Sequence, residues 1–349
     1  MPTFNRSQLF QIAQLVLNGA GVPVEESAIV AEELAEANIV GHDSHGVMRL
    51  VQYVQMMHEG FVKPGSPIDV VTDAPAFAIL DGHFNFGQVI AAKALAMGME
   101  KARQSGTATI MVRNCNHVGR LGSYTHKAAR EGFVTLMAVN APGPGGVAPF
   151  GGIDRRLGTN PISMGAPLGE EAIVLDMTTS ATAEGKLRVS HQKGETIPEG
   201  LIIDGHGNPS ANPGDYYSKP YGAILPLGGA LMGHKGFGLA VMVDVLCGML
   251  SGSGVCRDDL PRGANGVWLY VVDISRFIDR SEFDCLVSKY AESIKSARKL
   301  PGVNEILLPG EIEVRRGKER AASGVTIPDE TWRQIQDTAQ KLGVALDGI

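Results

Sequence analysis

Asn140-Ala141-Pro142-Gly143-Pro144-Gly145-Gly146-Val147-Ala148-Pro149-Phe150-Gly151-Gly152 follows a candidate strand at 134–139 and contains G-x-G-x-x-A at 143–148. In a dinucleotide fold a helix starts inside that motif, so that backbone N–H groups and the helix dipole face a pyrophosphate. Here Pro142, Pro144 and Pro149 surround the glycines, and a helix interior does not tolerate that many prolines. The stretch is therefore not a Rossmann phosphate loop, although its glycines allow the backbone to lie close to a ligand.

Upstream of this loop, 76–80 reads as a strand, 88–104 as a helix closed by Ser105-Gly106, 107–112 as a strand and 121–131 as a helix. On pattern alone this βαβαβ run predicts a doubly wound sheet. Further upstream, Lys63-Pro64-Gly65-Ser66-Pro67 reads as a hinge. The first 60 or so residues are nearly all helical: 7–19 with Ser7 as its cap, 24–40 stopping at Gly41, then a helix over 47–57 capped by Asp43 or Ser44. Downstream the alternation fails. Short strands are expected at 162–164, 173–175 and 267–272, and helices at 235–250, 281–299 and 329–341, with little regular structure over 193–225.

The 349-residue chain is 44% apolar and 19% charged, which describes a globular protein long enough for more than one domain. Its net charge of −6 and lack of a basic block argue against nucleic acid. Cys115, Cys247, Cys256 and Cys285 form no CxxC pair and the start resembles no signal peptide, so a reducing, cytoplasmic setting is expected. No apolar run is read as reaching the ~18–20 residues of a membrane span. Residues 237–250 come nearest and carry Asp244.

On the helix over 47–57, Leu50, Val51, Val54 and Met57 form a core stripe, while His45, Arg49 and Tyr53 run along the opposite face. Such a row could orient a small anion, with Arg49 gripping a carboxylate by two N–H groups; the plain alternative is a solvated face. His117, in Asn114-Cys115-Asn116-His117-Val118-Gly119-Arg120, precedes a helix whose dipole would keep the imidazole neutral and able to accept a proton. Cys115 reads as a structural thiol. His42, Asp43, His45 and His117 offer a competing zinc site, but there is no HExxH and no second cluster, so no metal is expected. Asp176 and the hydroxyls after it end a strand, and Lys235 at a helix N-terminus would favour an anion such as a phosphate.

These motifs resemble the malate/L-lactate dehydrogenase family of NAD(P)-dependent oxidoreductases, which is unrelated to Rossmann-type lactate dehydrogenases. The matching pieces, in order, are Gly41-His-Asp-Ser-His-Gly, Asn116-His117-Val-Gly, Gly158-Thr-Asn-Pro-Ile, Leu175-Asp-Met-Thr-Thr-Ser, Ala183-Glu-Gly-Lys186, Gly233-His-Lys-Gly-Phe-Gly and Leu250-Ser-Gly. The resemblance covers nearly the whole chain. It implies an α/β (α+β) fold with a non-Rossmann, mostly antiparallel cofactor sheet flanked by helices. It also implies a helical substrate and dimerisation domain from the two chain ends, and so overrides the doubly wound expectation. The expected divisions are 1–72 with 298–349, and 73–297.

The resemblance further implies a homodimer with its site in the cleft between domains, no membrane, and NAD or NADP as cofactor. His117 is the implied acid/base and Ser44 and His45 its catalytic companions. Arg49 and Tyr53 would bind substrate, and Asn160, Asp176, Met177, Thr178 and Lys235 would line the cofactor. The expected reaction interconverts a small 2-hydroxy acid, such as malate, lactate, ureidoglycolate or sulfolactate, and its 2-oxo partner. Reduction of a cyclic ketimine or diketo acid is an alternative; a zinc-dependent hydrolase and a non-catalytic cofactor sensor are readings from other classes. Two departures bear on substrate identity: Val267 follows Gly266 where some members have Gly-His-Phe, and the 141–147 loop is unusually rich in Gly and Pro.

Overall fold

A computed structural model describes residues 1–257 and 265–346. The chain opens with β1 (Thr3–Phe4), α1 (Arg6–Gly19), α2 (Val24–Ile39) and α3 (Arg49–His58). Asn5, rather than Ser7, caps α1: it accepts the Gln8 N–H at 2.9 Å, and the Gln8 side chain accepts the Asn5 N–H at 2.9 Å. That reciprocal box places the cap one residue before the first helical one.

The first sheet strands and helices are β2 (Asp69–Ala74), β3 (Phe77–Asp81), α4 (Gly87–Ser105), β4 (Thr107–Cys115), α5 (Leu121–Arg130) and β5 (Phe133–Asn140). A hairpin follows, β6 (Ile162–Leu168) and β7 (Glu171–Met177), and then α6 (Glu184–Lys193). Next come β8 (Ile202–Ile203), β9 (Pro209–Ser210), β10 (Ala223–Ile224), α7 (Gly229–Val243) and β11 (Asn265–Asp273). The last elements are α8 (Arg280–Lys295), α9 (Glu311–Ser323), β12 (Val325–Thr326) and α10 (Asp329–Lys341).

The main sheet has the order β2-β3-β4-β11-β5-β6-β7, and β3–β4 is its one parallel pairing among the described residues. The local βαβαβ pattern thus misleads. The strands on either side of α5 do not pair; β11 enters between them, antiparallel to both, with Val267 opposite Val112 and Val139. Val267, Leu269 and Val271 are fully buried there, so the apolar residue after Gly266 is a core residue of the central strand. The 141–158 region starts no helix; Val147 instead bridges to Leu157 and Ile224.

The two chain ends share one hydrophobic core. Leu9, Ile12, Leu34 and Leu50 meet Val325, Ile335 and Ala339, and β1 pairs with β12. A second core fills the space between the sheet and α4 and α5. Elements missed in the sequence carry little periodic apolar signal: α6 buries Leu187 alone, and α9 buries none of its residues.

The helix starting at Gly229 runs on through a π-helical turn, Asp244–Met249. Together Gly229–Met249 spans 21 residues, long and apolar enough to cross a membrane by length and composition. The expected start at 235 makes this helix too short; the left-handed Gly228, with φ +99°, starts it earlier. One side packs inward through Gly233, Gly236, Ala240 and Val243, and Asp244 accepts the Asn140 amide N–H at 2.9 Å. A paired, buried carboxylate facing the sheet is the mark of a helix docked on a protein core.

Candidate active site

The segment before α3 is not one continuous helix. Asp43–His45 forms a single 3₁₀ turn, and α3 begins at Arg49. Neither Asp43 nor Ser44 caps α3 through its side chain; the buried Asn38 accepts the Val47 N–H at 2.8 Å and donates to Asp43 at 2.8 Å. A Cβ on Gly46 would sit 2.2 Å from Asn38 Oδ1, which explains the glycine closing Gly41-His-Asp-Ser-His-Gly. Helix α9 holds this loop from outside: His42 pairs with Glu313 at 3.1 Å, and Asp43 with Arg320 at 2.8 Å. His42 and Asp43 thus have protein partners. Among the described residues no three His, Cys, Asp or Glu side chains gather as metal ligands would.

The opposite face of α3 is not solvated. Leu50 and Tyr53 are its buried residues, while Val51, Val54 and Met57 are only partly buried against the first core. Tyr53, 2% exposed, places its hydroxyl 2.7 Å from His117 Nδ1 and 2.7 Å from Gln88 Nε2. It therefore braces His117, and its hydroxyl is engaged on two sides. The His45 ring stacks on His117, with centroids 5.2 Å apart and planes 8° from parallel. Arg49 is oriented by bonds to the Ser44 carbonyl and Gln52 Oε1, both 2.6 Å. Ser44 faces the start of α6, its Cβ 3.3 Å from where a Cβ on Gly185 would stand.

The loop bearing His117 is fixed from below. Asn116 donates its amide to the carbonyls of Phe61 (3.0 Å), Phe84 (2.6 Å) and Asn85 (3.2 Å). Gly87, the first residue of α4, would carry a Cβ 2.2 Å from Asn116 O and 2.4 Å from His117 C. Only a glycine lets the helix start come this close, so the N-terminus of α4 also lies beside His117. Gly87→Ala should lift the His117 backbone and lower kcat by about 10²-fold, the cost of a displacement near 1 Å. Steady-state kinetics on the folded variant checks this, and unchanged kcat would show that the loop adapts.

Burial holds both imidazoles neutral. His117 is lowered well below 6.5 by burial first, then by Arg49 and His45. His45 falls from 6.5 to about 3 through burial, then Arg49, His42 and Arg120. Burial, not the α5 dipole, is thus the main reason for a neutral His117. The unfolded chain binds protons below about 6.5 that the folded histidines do not, so stability falls as pH drops from about 6.5 toward 3. Each histidine contributes at most about 1.4 kcal/mol per pH unit. Thermal unfolding between pH 7 and 5 should show a falling Tm, with a shallower fall in His45→Gln; an identical slope would remove His45 as a contributor.

The remaining residues singled out in the sequence lie at the far end of β7 and on α7. Asn160, fully buried with φ +37°, donates to Ala240 O at 3.0 Å, and its Oδ1 is buried with no partner. Gly158 makes room for it, since a Cβ there would lie 2.6 Å from that Oδ1. Thr179 ties the turn after Met177 and Thr178 to the carbonyls of Thr159 and Asn160. Asp176 accepts the Gly122 N–H at 2.8 Å and faces Arg120 at 3.7 Å, so its carboxylate serves the start of α5. Lys235 is exposed within α7, past the first turn rather than at its N-terminus, and next to Gly236, which packs against Leu227.

With this geometry in view, comparison with known proteins is decisive. The family model described as malate/L-lactate dehydrogenase matches residues 4–336. The chain belongs to that family. It is 38% identical to a malate dehydrogenase from Pyrococcus horikoshii, over 97% of this chain and 95% of that one. It is 34% identical to hydroxycarboxylate dehydrogenase B from Escherichia coli K12, over 98% and 94%. The solved sulfolactate dehydrogenase of Methanocaldococcus jannaschii superposes with a TM-score of 0.89 at 31% identity, covering 99% of each chain.

As a member of the malate/L-lactate dehydrogenase family the chain is an oxidoreductase of hydroxy acids and uses a nicotinamide cofactor. The residues present fit that group: Asn160 Oδ1 is a buried polar atom without a protein partner, and Lys235 is an exposed cation on the adjoining helix. Reading the sequence missed Gly87, Gln88, Arg120, Glu313 and Arg320. Arg120 adjoins the Asn116-His117-Val-Gly motif and could have been flagged. Gln88 looked like an ordinary polar residue in a helix's first turn, and the α9 pair lies in a stretch with no apolar stripe.

Proposed function

We propose that this chain interconverts a small 2-hydroxy acid and its 2-oxo acid, with His117 as the acid/base and Arg49 as the carboxylate clamp. Ser44 and His45 orient the reacting oxygen from the helical side. Asn160, Met177, Thr178 and Lys235 line the cofactor, and Asp176 supports that wall through α5. The bound nicotinamide supplies or accepts the hydride at C2. Arg49 fixes the carboxylate so that C2 is held in place, and positioning of this kind lowers a barrier by several kcal/mol, about 10²-fold or more in rate. His117 gives a proton to, or takes one from, the C2 oxygen, and the apolar packing around it excludes water.

One observation carries this reading. The imidazole of His117, on the loop between β4 and α5, stacks on His45 beside Arg49, which stand on the turn and helix that pack through Val47 and Leu50 into the core of the two chain ends. The organisation we infer is a helical domain of 1–72 and 298–349 and a cofactor domain of 73–297; residues 347–349 lie outside the described ones. We also infer a cytoplasmic homodimer. Its support is the outer face of Gly229–Met249, where Leu231 is 84% exposed and Met232, Leu239, Met242 and Met249 are exposed along its length, and the free state of the four cysteines. A second copy of this chain is the occupant that would cover that face.

The test is a panel of 2-oxo acids, diketo acids and cyclic imines offered with NADH and with NADPH, followed at 340 nm. Consumption of one reduced cofactor with a 2-oxo acid supports the assignment and decides between NAD and NADP. Turnover with cyclic imines alone, or with nothing in the panel, overturns it.

A further inference from the structure

His117 is neutral, so its usefulness depends on which ring nitrogen holds its one proton. The network behind it answers that question. Gln88, fully buried in the first turn of α4, donates Nε2–H to Tyr53 Oη at 2.7 Å, and the same Oη lies 2.7 Å from His117 Nδ1. An oxygen that receives a hydrogen bond from the amide directs its own O–H to the imidazole. Nδ1 is then the acceptor, and the ring proton sits on Nε2.

The amide orientation has a physical reason. Gln88 Oε1 is buried without a partner. Turning the amide over would put the NH₂ group in that place and leave both of its N–H donors unpaired. Orphaned buried N–H groups are rarer than under-satisfied carbonyl oxygens, so the orientation with nitrogen toward Tyr53 wins. The charged and titratable groups facing this chain among the described residues are Arg49 and Tyr53 from α3, His45 from the preceding turn, Glu33 from α2 and Tyr124 from α5.

We propose that Gln88 is a positioning residue that sets the tautomer of His117 through Tyr53, presenting Nε2–H as the proton donor to the C2 oxygen of a 2-oxo acid. The inference rests on the functional reading above. In the reductive direction the Nε2–H bond breaks as the proton passes to the C2 oxygen. The Tyr53 O–H proton moves to Nδ1 as the other leaves Nε2, which keeps the ring neutral. Burial raises the Tyr53 hydroxyl to about 12, so the phenolate, faced by Gln88 N–H and Arg49, is transient and takes a proton from solvent when the site opens to release product. In the oxidative direction each proton retraces its path.

Nitrogen NMR of the His117 side chain tests this in the full chain without turnover. The wild type should show the Nε2–H form at pH 7. In Gln88→Glu the new carboxylate accepts the Tyr53 O–H, so Tyr53 must accept from Nδ1–H. The signal should then switch to the Nδ1–H or doubly protonated form, and the His117 midpoint should rise by about one pH unit or more. In Gln88→Met, which fills the same space without the donor, and in Tyr53→Phe, the preference should be lost; either variant carries the test if Gln88→Glu does not fold. An Nδ1–H form in the wild type, or one unchanged tautomer in every folded variant, overturns the proposal. An active reductase with that result would leave the functional assignment standing, whereas an Nε2–H wild type inactive on every 2-oxo acid would sink the assignment alone.

Discussion

Replacing His117 with alanine is expected to lower kcat for 2-oxo acid reduction by about 10²–10⁴-fold, the usual contribution of a positioned proton donor. The substitution removes the ring that stacks on His45 and is hydrogen-bonded to the Tyr53 hydroxyl. KM should move far less, because Arg49 keeps its bonds to the Ser44 carbonyl and Gln52. A single-turnover measurement isolates the chemical step from product release. A loss below about tenfold there would remove His117 as the acid/base and turn attention to His45.

Arg49→Lys is the second large effect, and it separates charge from shape. Lysine keeps the positive charge but cannot make the forked grip on a carboxylate. A charge-assisted hydrogen bond contributes about 1.5–3 kcal/mol, so KM should rise by about tenfold or more, and kcat should fall with it because C2 is held less firmly. Arg49 also depresses the protonation of both His45 and His117. With the charge retained, the acidic limb of the kcat/KM profile should stay in place in Arg49→Lys. In Arg49→Gln it should move to higher pH, because the repulsion that disfavours imidazolium is gone. Unchanged KM in the lysine variant would show that the carboxylate is held elsewhere.

The helices of the first sixty residues were readable because their apolar spacing matches the helical period and their stops are glycines in left-handed backbone, as at Gly41. The row of His45, Arg49 and Tyr53 was legible from helical spacing, but not that it is buried rather than solvated: the Tyr53 hydroxyl meets a residue 64 positions away. The doubly wound expectation failed for a similar reason. Each strand was recognisable, but which strands are neighbours depends on β11 reaching back between β4 and β5. Lys235 was set at a helix start because the extra turn from Gly229 has glycines where a periodic signal would be read.

Residue order alone excluded a Rossmann loop at 143–148, because proline has no N–H and cannot continue a helix, and it named His117, Arg49 and His45 as candidates through motif spacing. Tertiary structure alone put those side chains together and supplied what motifs cannot carry. It gave burial as the reason both histidines are neutral, set Tyr53 against His117, and added Gln88 behind them and the Glu313 and Arg320 brace on the 41–46 loop. Local sequence encodes backbone preference within a few residues, whereas desolvation and hydrogen-bond direction arise between groups that only the folded chain brings within 3 Å.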